Sequence, residues 1–152
     1  MDAVIAKEFS QFGKRGFWSY IKLSVKNYFN YSSGITTIEI DGEEKQFENT
    51  LFVSLANTSE FGNRFQIAPN NNHQDGKFEL VVFRKPPLLI IPFTIIRFFT
   101  RSVRNSKYVS HFEGSEAKIT NPKAIQKDGD WIDERIENID VKIIKNAIKI
   151  VC

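Results

Sequence analysis

The sequence contains a single cysteine, Cys152, which is its last residue. One thiol cannot form an intramolecular disulfide framework, and a zinc site normally needs several Cys or His ligands at close spacing. His73 and His111 stand near neither a Cys nor each other, so we expect surface or hydrogen-bonded histidines rather than metal ligands. A reducing, cytoplasmic location is the simplest expectation for such a chain.

Long apolar runs and nucleotide-binding glycine loops are also missing. The most apolar stretch, Leu88 to Phe99, is too short to span a bilayer of about 30 Å, and Pro92 and Arg97 interrupt it. The N-terminus lacks the basic and apolar regions of a secretory signal. No glycine-rich strand-to-helix turn and no G-x-S-x-G motif occur, which excludes a P-loop, a dinucleotide fingerprint and a hydrolase elbow.

Net charge is small, because 21 Lys and Arg stand against 18 Asp and Glu, a balance of +3. Bulk electrostatics of this size do not indicate nucleic-acid binding, and no nucleic-acid partner is expected. The 152 residues, 41% of them hydrophobic, have room for one domain of ordinary size that folds without disulfide bonds or a structural metal. We therefore predict a single domain over residues 1–152.

Most of the chain has a β pattern. Short β-branched and aromatic runs alternate with turn signals such as Asp41-Gly42 and the Asn-rich stretch before Phe78. We predict strands at Ile35–Ile40, Gln46–Val53, Leu51–Asn57, Phe78–Phe83, Tyr108–Phe112, Glu116–Thr120, Ala124–Lys127, Asp140–Ile144 and Ala147–Val151. Short strands at this spacing favour a mainly β (α+β) fold, a β-sandwich or barrel of antiparallel strands.

Two helices interrupt the β pattern. Residues Lys14 to Tyr31 have the spacing of an amphipathic N-terminal helix. Leu88 to Phe99 predicts an apolar helical insertion inside a segment, Leu80 to Phe112, that has no acid and six basic residues: Arg84, Lys85, Arg97, Arg101, Arg104 and Lys107. This helix either packs on a sheet, with its arginines at the C-terminal dipole, or docks on an anionic membrane. The helix can also do both, with one face on the sheet and the other on the membrane.

Several short blocks resemble a known family in order and spacing. They are Phe52-Val53-Ser54-Leu55-Ala56-Asn57 with Phe61-Gly62, Ile67-Ala68-Pro69, Asp75-Gly76-Lys77-Phe78-Glu79-Leu80, and Gln126-Lys127-Asp128-Gly129-Asp130. Together they resemble the C-terminal domain of the diacylglycerol kinase and sphingosine kinase-like lipid kinases, with the bacterial soluble branch nearest. Asp2-Ala3-Val4-Ile5-Ala6 likewise looks like the segment that follows the family's glycine-rich N-terminal half.

The resemblance implies a β-sandwich that holds the lipid beside a separate nucleotide-binding domain. That domain's G-G-D-G-T loop does not occur here, so the chain is expected to be a truncated, inactive half of an ATP-dependent enzyme of phospholipid metabolism. Asp128 corresponds to the acid proposed as general base for the lipid hydroxyl. Asp130 stands where a Glu is usual. From the residues alone, Asp128-Gly129-Asp130 also fits an ordinary turn.

Some members of the family also carry a structural magnesium site after the Ala-Pro pair. By resemblance, the ligands here would be Asp75, the Lys77 carbonyl and Asn72, with Gln74 in place of an expected Asp. The loop equally fits a solvated Asn-rich turn, because one carboxylate makes a weak magnesium site.

The expected partners are a lipid substrate, an anionic membrane surface and the missing nucleotide-binding domain. We expect a cytoplasmic protein with peripheral membrane association, and a homodimer is left open. Two other functions also fit the sequence. One is a non-catalytic lipid- or membrane-binding β module, and the other, which fits less well, is a barrel that binds nucleic acid through its aromatic and basic residues.

Overall fold

The fold is taken from a computed structural model, which describes residues 26–31, 35–62, 64–72, 74–120, 122, 125–127, 130–132, 136–144 and 147. Residues 26–30 are helical, which agrees with the end of the predicted N-terminal helix, and the rest of that helix lies outside the described residues. The predicted strand Ala147–Val151 also falls almost wholly outside them.

After the helical segment 26–30, the described chain contains eleven strands, one further α-helix and two 3₁₀ turns. The strands are β1 (Thr36–Ile40), β2 (Glu43–Phe47), β3 (Thr50–Ala56), β4 (Glu60–Gly62), β5 (Phe65–Gln66), β6 (Phe78–Arg84), β7 (Val109–Gly114), β8 (Glu116–Thr120), β9 (Ile125–Lys127), β10 (Asp130–Ile132) and β11 (Asn138–Lys142). Between β6 and β7 lie a 3₁₀ turn (Leu88–Ile90), helix α1 (Ile91–Phe99) and a second 3₁₀ turn (Val103–Asn105). All strand pairs are antiparallel.

Two sheets form the sandwich that the sequence predicted. One has the strand order β11-β8-β1-β2, and the other β3-β6-β7. A cluster of buried residues joins them: Ile38, Ile40, Ala117 and Ile119 from the first sheet, and Phe78, Leu80 and Val82 from β6. Because side chains alternate across a strand, these β6 residues share one face. The sandwich core therefore lies between β1 and β8 on one side and β6 on the other.

The other face of the three-stranded sheet is covered by the insertion between β6 and β7. Val81 of β6 packs with Ile67, Phe98 and Val103, all of them buried. Strand β6 is thus buried on both faces, which explains why it is a nearly continuous apolar run. Glu79 interrupts this apolar run, and Arg84 ends the strand.

The Asp41-Gly42 hairpin is confirmed. Ile40 pairs with Glu43, and both loop residues have positive φ, 46° and 85°, as a two-residue type I′ turn requires. At the neighbouring β7–β8 turn, a Cβ added to Gly114 would lie 2.6 Å from the Ile40 side chain. Glycine is needed there because the two turns approach closely.

One predicted strand is wrong. Gln46–Val53 is not continuous: the chain breaks at Glu48-Asn49, where Asn49 has a φ of 55°, and β2 and β3 join different sheets. Asparagine tolerates this left-handed conformation better than most residues, so the chain can turn there from one sheet to the other. The predicted strand Asp140–Ile144 also begins earlier, at Asn138, and ends at Lys142.

Candidate functional site

The structure describes the residues on either side of the predicted catalytic acids, but only part of the motif itself. Strands β9 and β10 pair antiparallel, with Lys127 opposite Asp130. Asp130 therefore begins β10, but its side chain, together with Asp128 and Gly129, falls outside the described part of the chain. The catalytic roles of Asp128 and Asp130 stay predictions.

The loop predicted to hold magnesium is built from side-chain turns. The Gln74 N–H donates to Asn72 Oδ1 at 3.1 Å, and the Lys77 N–H donates to Asp75 Oδ1 at 2.8 Å. Gly76, between them, has a φ of 72°, which a residue with a side chain rarely adopts. Asn72, Asp75 and Lys77 are all exposed. The structure therefore brings the three predicted ligand residues into one short loop.

These donors suit magnesium only in part. Carboxylate, amide and carbonyl oxygens are the ligands that Mg²⁺ prefers, and the ion commonly retains several waters. However, both Asp75 Oδ1 and Asn72 Oδ1 already accept backbone N–H groups, and the described residues include no cluster of three or more His, Cys, Asp or Glu suited to a metal. Asp75, Asn72 and the Lys77 carbonyl would thus hold a weakly bound, largely hydrated ion.

The apolar insertion is only half covered. Thr94 and Phe98 of α1 are buried, and Phe98 stacks on Phe65 with ring centroids 4.2 Å apart. The opposite side is open to solvent, where Leu89 is 82% and Phe93 65% exposed. One face of the helix therefore packs on the sheet, as one of the two interpretations predicts, and the other face has no cover within the described residues. Docking on a membrane stays a prediction. No described helix is long and apolar enough to cross a membrane.

The three arginines in and after the last turn of α1 do not share one environment. Arg97 is half-buried in the last turn of α1, and its Nη1 is buried with no partner among the described residues. Arg101 is exposed just beyond the helix. Arg104 instead turns to the sheet, where its Nη2 lies 2.7 Å from Glu79 Oε1 and 3.9 Å from Glu113 Oε1. Arg104 is therefore paired with acids of the sheet, whereas Arg101 stays exposed beyond the helix.

Glu79 is the centre of a buried ionic cluster that the sequence did not reveal. Its side chain is 1% exposed, and Oε1 accepts hydrogen bonds from Arg104 Nη2 and, at 2.5 Å, from His111 Nδ1. This contact confirms that His111 is a hydrogen-bonded histidine. An acid inside the apolar run of β6 was the available signal, since a buried charge needs a partner. The acid-free segment Leu80 to Phe112 begins one residue after Glu79.

A basic groove of about 460 Å³ lies at the stem of the insertion, where the chain leaves β6 at Arg84 and Lys85 and returns to β7 at Lys107 and Tyr108. Its lining residues are Gln46, Phe47, Glu48, Asn49, Arg84, Lys85, Lys107 and Tyr108. The Arg84 N–H donates to the Tyr108 carbonyl at 2.8 Å and the Lys85 N–H to the Asn49 carbonyl at 2.7 Å, which closes the stem. Lys85 also lies over the Tyr28 ring and donates to the Tyr31 carbonyl, so that the helical segment 26–30 is attached to the same stem.

Asp41 is a structural carboxylate rather than a candidate catalytic one. Its Oδ1 accepts hydrogen bonds from the Glu116 N–H at 2.9 Å and from the N–H and hydroxyl of Ser115, both at 3.0 Å. The pKa of Asp41 is lowered chiefly by the Glu116 backbone hydrogen bond, then by the bonds from Ser115 and the charge of Lys77. This carboxylate ties the β1–β2 hairpin to the β7–β8 turn.

Comparison with protein families and solved structures gives a consistent result. The family described as YegS C-terminal NAD kinase beta sandwich-like domain matches residues 1–152. None of the curated proteins compared with the chain matches it.

Three solved structures from Bacillus anthracis str. Sterne share the fold, at 15 to 16% identity. Two are described as candidate diacylglycerol kinases, with TM-scores of 0.58 and 0.57 over 87% and 93% of this chain. The third, described as a diacylglycerol kinase, has a TM-score of 0.55 over 92% of it. The chain spans 46% of each of these proteins.

Proposed function

Because the chain belongs to the YegS C-terminal NAD kinase beta sandwich-like domain family, we propose that it is the lipid-side domain of a two-domain kinase. The parent enzyme transfers the γ-phosphoryl group of ATP to a lipid hydroxyl, with diacylglycerol or a related lipid as acceptor. The observation that carries this proposal is the family match over residues 1–152. The similar structures support it, because one is described as a diacylglycerol kinase and two as candidate diacylglycerol kinases. Each of these proteins is about twice as long as this chain.

In this proposal the two halves divide the chemistry. Phosphoryl transfer depends on positioning ATP and its Mg²⁺ and on electrostatic stabilisation of the transferring group. The missing nucleotide-binding half supplies these elements, so the chain alone is inactive. The β-sandwich side supplies the acceptor: Asp128 takes the proton of the lipid hydroxyl as general base, and Asp130 supports it from the start of β10.

Magnesium has a second, structural part in the proposal. An ion held by Asp75, Asn72 and the Lys77 carbonyl would stabilise the loop that leads into β6. Lys77 follows Gly76 and precedes Phe78 of the sandwich core, so the loop determines how β6 enters the sheet. The ion at this position has no share in phosphoryl transfer.

The experiment is a lipid phosphorylation assay with radiolabelled ATP. The native gene product that contains this chain is incubated with vesicles carrying diacylglycerol, beside the chain alone. We expect label in the lipid with the longer protein, none with the chain alone, and a G-G-D-G-T block upstream in the gene product. A folded gene product without that block, and without transfer, would contradict the kinase and leave a non-catalytic lipid-binding module.

A further inference from the structure

The outward side of helix α1 carries no polar group. At about 100° per residue, Ile95, Phe99, Pro92, Ile96 and Phe93 occupy a continuous arc of about 160°. Ile96 is 56% and Phe99 51% exposed, and Leu88, Leu89 and Ile90 extend the same apolar surface before the helix. We call this surface, residues 88–90 and the five arc residues, the apolar arc. A helix at a protein–water boundary normally has polar residues here.

The exposure does not arise from a poorly packed helix. Phe98 is 2% exposed and contacts two rings of the sheet side, Phe65 by stacking and Phe83 edge-on at 5.9 Å. Val103 of the following turn is fully buried, and Arg104 is bound to Glu79. The inward face thus holds the helix on the sheet, and the apolar arc is presented on a fixed support.

Charge indicates what covers the arc. The segment Leu80 to Phe112 has six basic residues and no acid, and Glu79 neutralises only one of them, Arg104. Arg101 is exposed two residues beyond Phe99, and Lys107 is exposed at the stem. An apolar surface flanked by cations complements the anionic headgroups and acyl chains of a lipid leaflet.

The same features disfavour two other occupants. A second copy would place like charges together around the arc, which is costly at an interface. The other half of a two-domain protein would form an interface that is usually more polar than this surface.

We propose that the apolar arc docks on an anionic lipid surface, with Arg101 among its headgroup contacts. This inference goes beyond the proposed function, because it concerns where the domain binds rather than the reaction. It holds equally for a non-catalytic module. Cations near such a surface contribute about a fivefold gain in binding each.

The test is sedimentation of the chain with vesicles. One set contains phosphatidylcholine alone and the other an equal mixture of phosphatidylcholine and phosphatidylglycerol. We expect the chain to bind the mixed vesicles and to bind the neutral ones much less. Binding should weaken as salt rises, since the Debye length shrinks from about 10 Å at about 0.1 M to about 3 Å at about 1 M.

Two pairs of variants separate the arc from general surface effects. Ile96→Asn should lower binding about tenfold, because the variant buries no isoleucine in the leaflet. Ile144→Asn, which changes an isoleucine that is 73% exposed elsewhere, should leave binding unchanged. Arg101→Gln should lower binding to mixed vesicles about fivefold. Lys118→Gln, the same charge change at an exposed position of β8, should have less effect. Melting temperatures confirm that each variant is folded.

Three results would overturn the proposal. The first is a vesicle assay in which the chain does not bind mixed vesicles, or in which the Ile96→Asn and Ile144→Asn variants bind them equally well. The second is a dimer in sedimentation equilibrium that Ile96→Asn dissociates, which would assign the arc to a second copy. The third is vesicle binding by the chain but not by the longer gene product, which would assign the arc to the other half.

Discussion

Glu79 is expected to anchor the insertion to the sheet, and replacing it by alanine tests this role. Glu79→Ala leaves His111, whose side chain is 6% exposed, and Arg104, at 34%, without their shared acceptor. Breaking a buried ion pair costs about 3–5 kcal/mol. Because Arg104 is one-third exposed and can rehydrate, we expect the lower end, about 3 kcal/mol. For a domain of this size, the melting temperature should then fall by about 6–12 °C.

The assay is urea and thermal unfolding followed by circular dichroism. Glu113→Ala is the matched control, because Glu113 lies 3.9 Å from the same arginine but is 58% exposed, and its loss should change the free energy of unfolding by about 0.5 kcal/mol at most. Glu79→Gln keeps the shape and one acceptor, and provides an intermediate value if the alanine variant does not fold. Equal losses for Glu79→Ala and Glu113→Ala would refute the buried-cluster argument.

Two further predictions concern the turns. Asp41→Ala should lower the free energy of unfolding by about 1 kcal/mol at neutral pH. Since the pKa of Asp41 is lowered in the folded state, the charge-dependent part of this contribution is present above the ordinary Asp pKa of about 3.9 and is lost as the pH falls through the lowered value. Urea titrations of both proteins should therefore converge in acid, and a constant difference would contradict the sign. Asp75→Asn should weaken Mg²⁺ binding measured by isothermal titration calorimetry, because it removes the carboxylate of the loop and keeps its shape. Unchanged affinity would exclude Asp75 as a ligand.

The sandwich and its hairpin were predictable because local rules agreed with the final packing. Asp41-Gly42 demands a type I′ turn, and β6 is apolar on both faces. The break at Glu48-Asn49 was not predictable in the same way. The strand pattern continues through it, and only the left-handed conformation of Asn49 and the assignment of β2 and β3 to different sheets reveal the boundary.

The candidate site was less accessible from sequence. Asp128 and Asp130 were assigned by resemblance, and their side chains lie outside the described residues. The cation surplus was visible in sequence, but the arginines were not equivalent: Arg104 binds Glu79, an acid 25 residues earlier, while Arg101 stays exposed. Which face of α1 the sheet covers depends on long-range packing of Phe98 against Phe65 and Phe83, which periodicity alone does not specify.

The most direct test of the proposed function is the turnover of the Asp128→Asn variant in the longer gene product. Loss of a general base typically lowers turnover by about 10² to 10⁴. The matched control is Asp140→Asn, an acid-to-amide change at an exposed position of β11, which should phosphorylate lipid at the wild-type rate. We expect a drop of at least about a hundredfold for Asp128→Asn, with the melting temperature preserved. Turnover within a few fold of that control would contradict a catalytic role for Asp128.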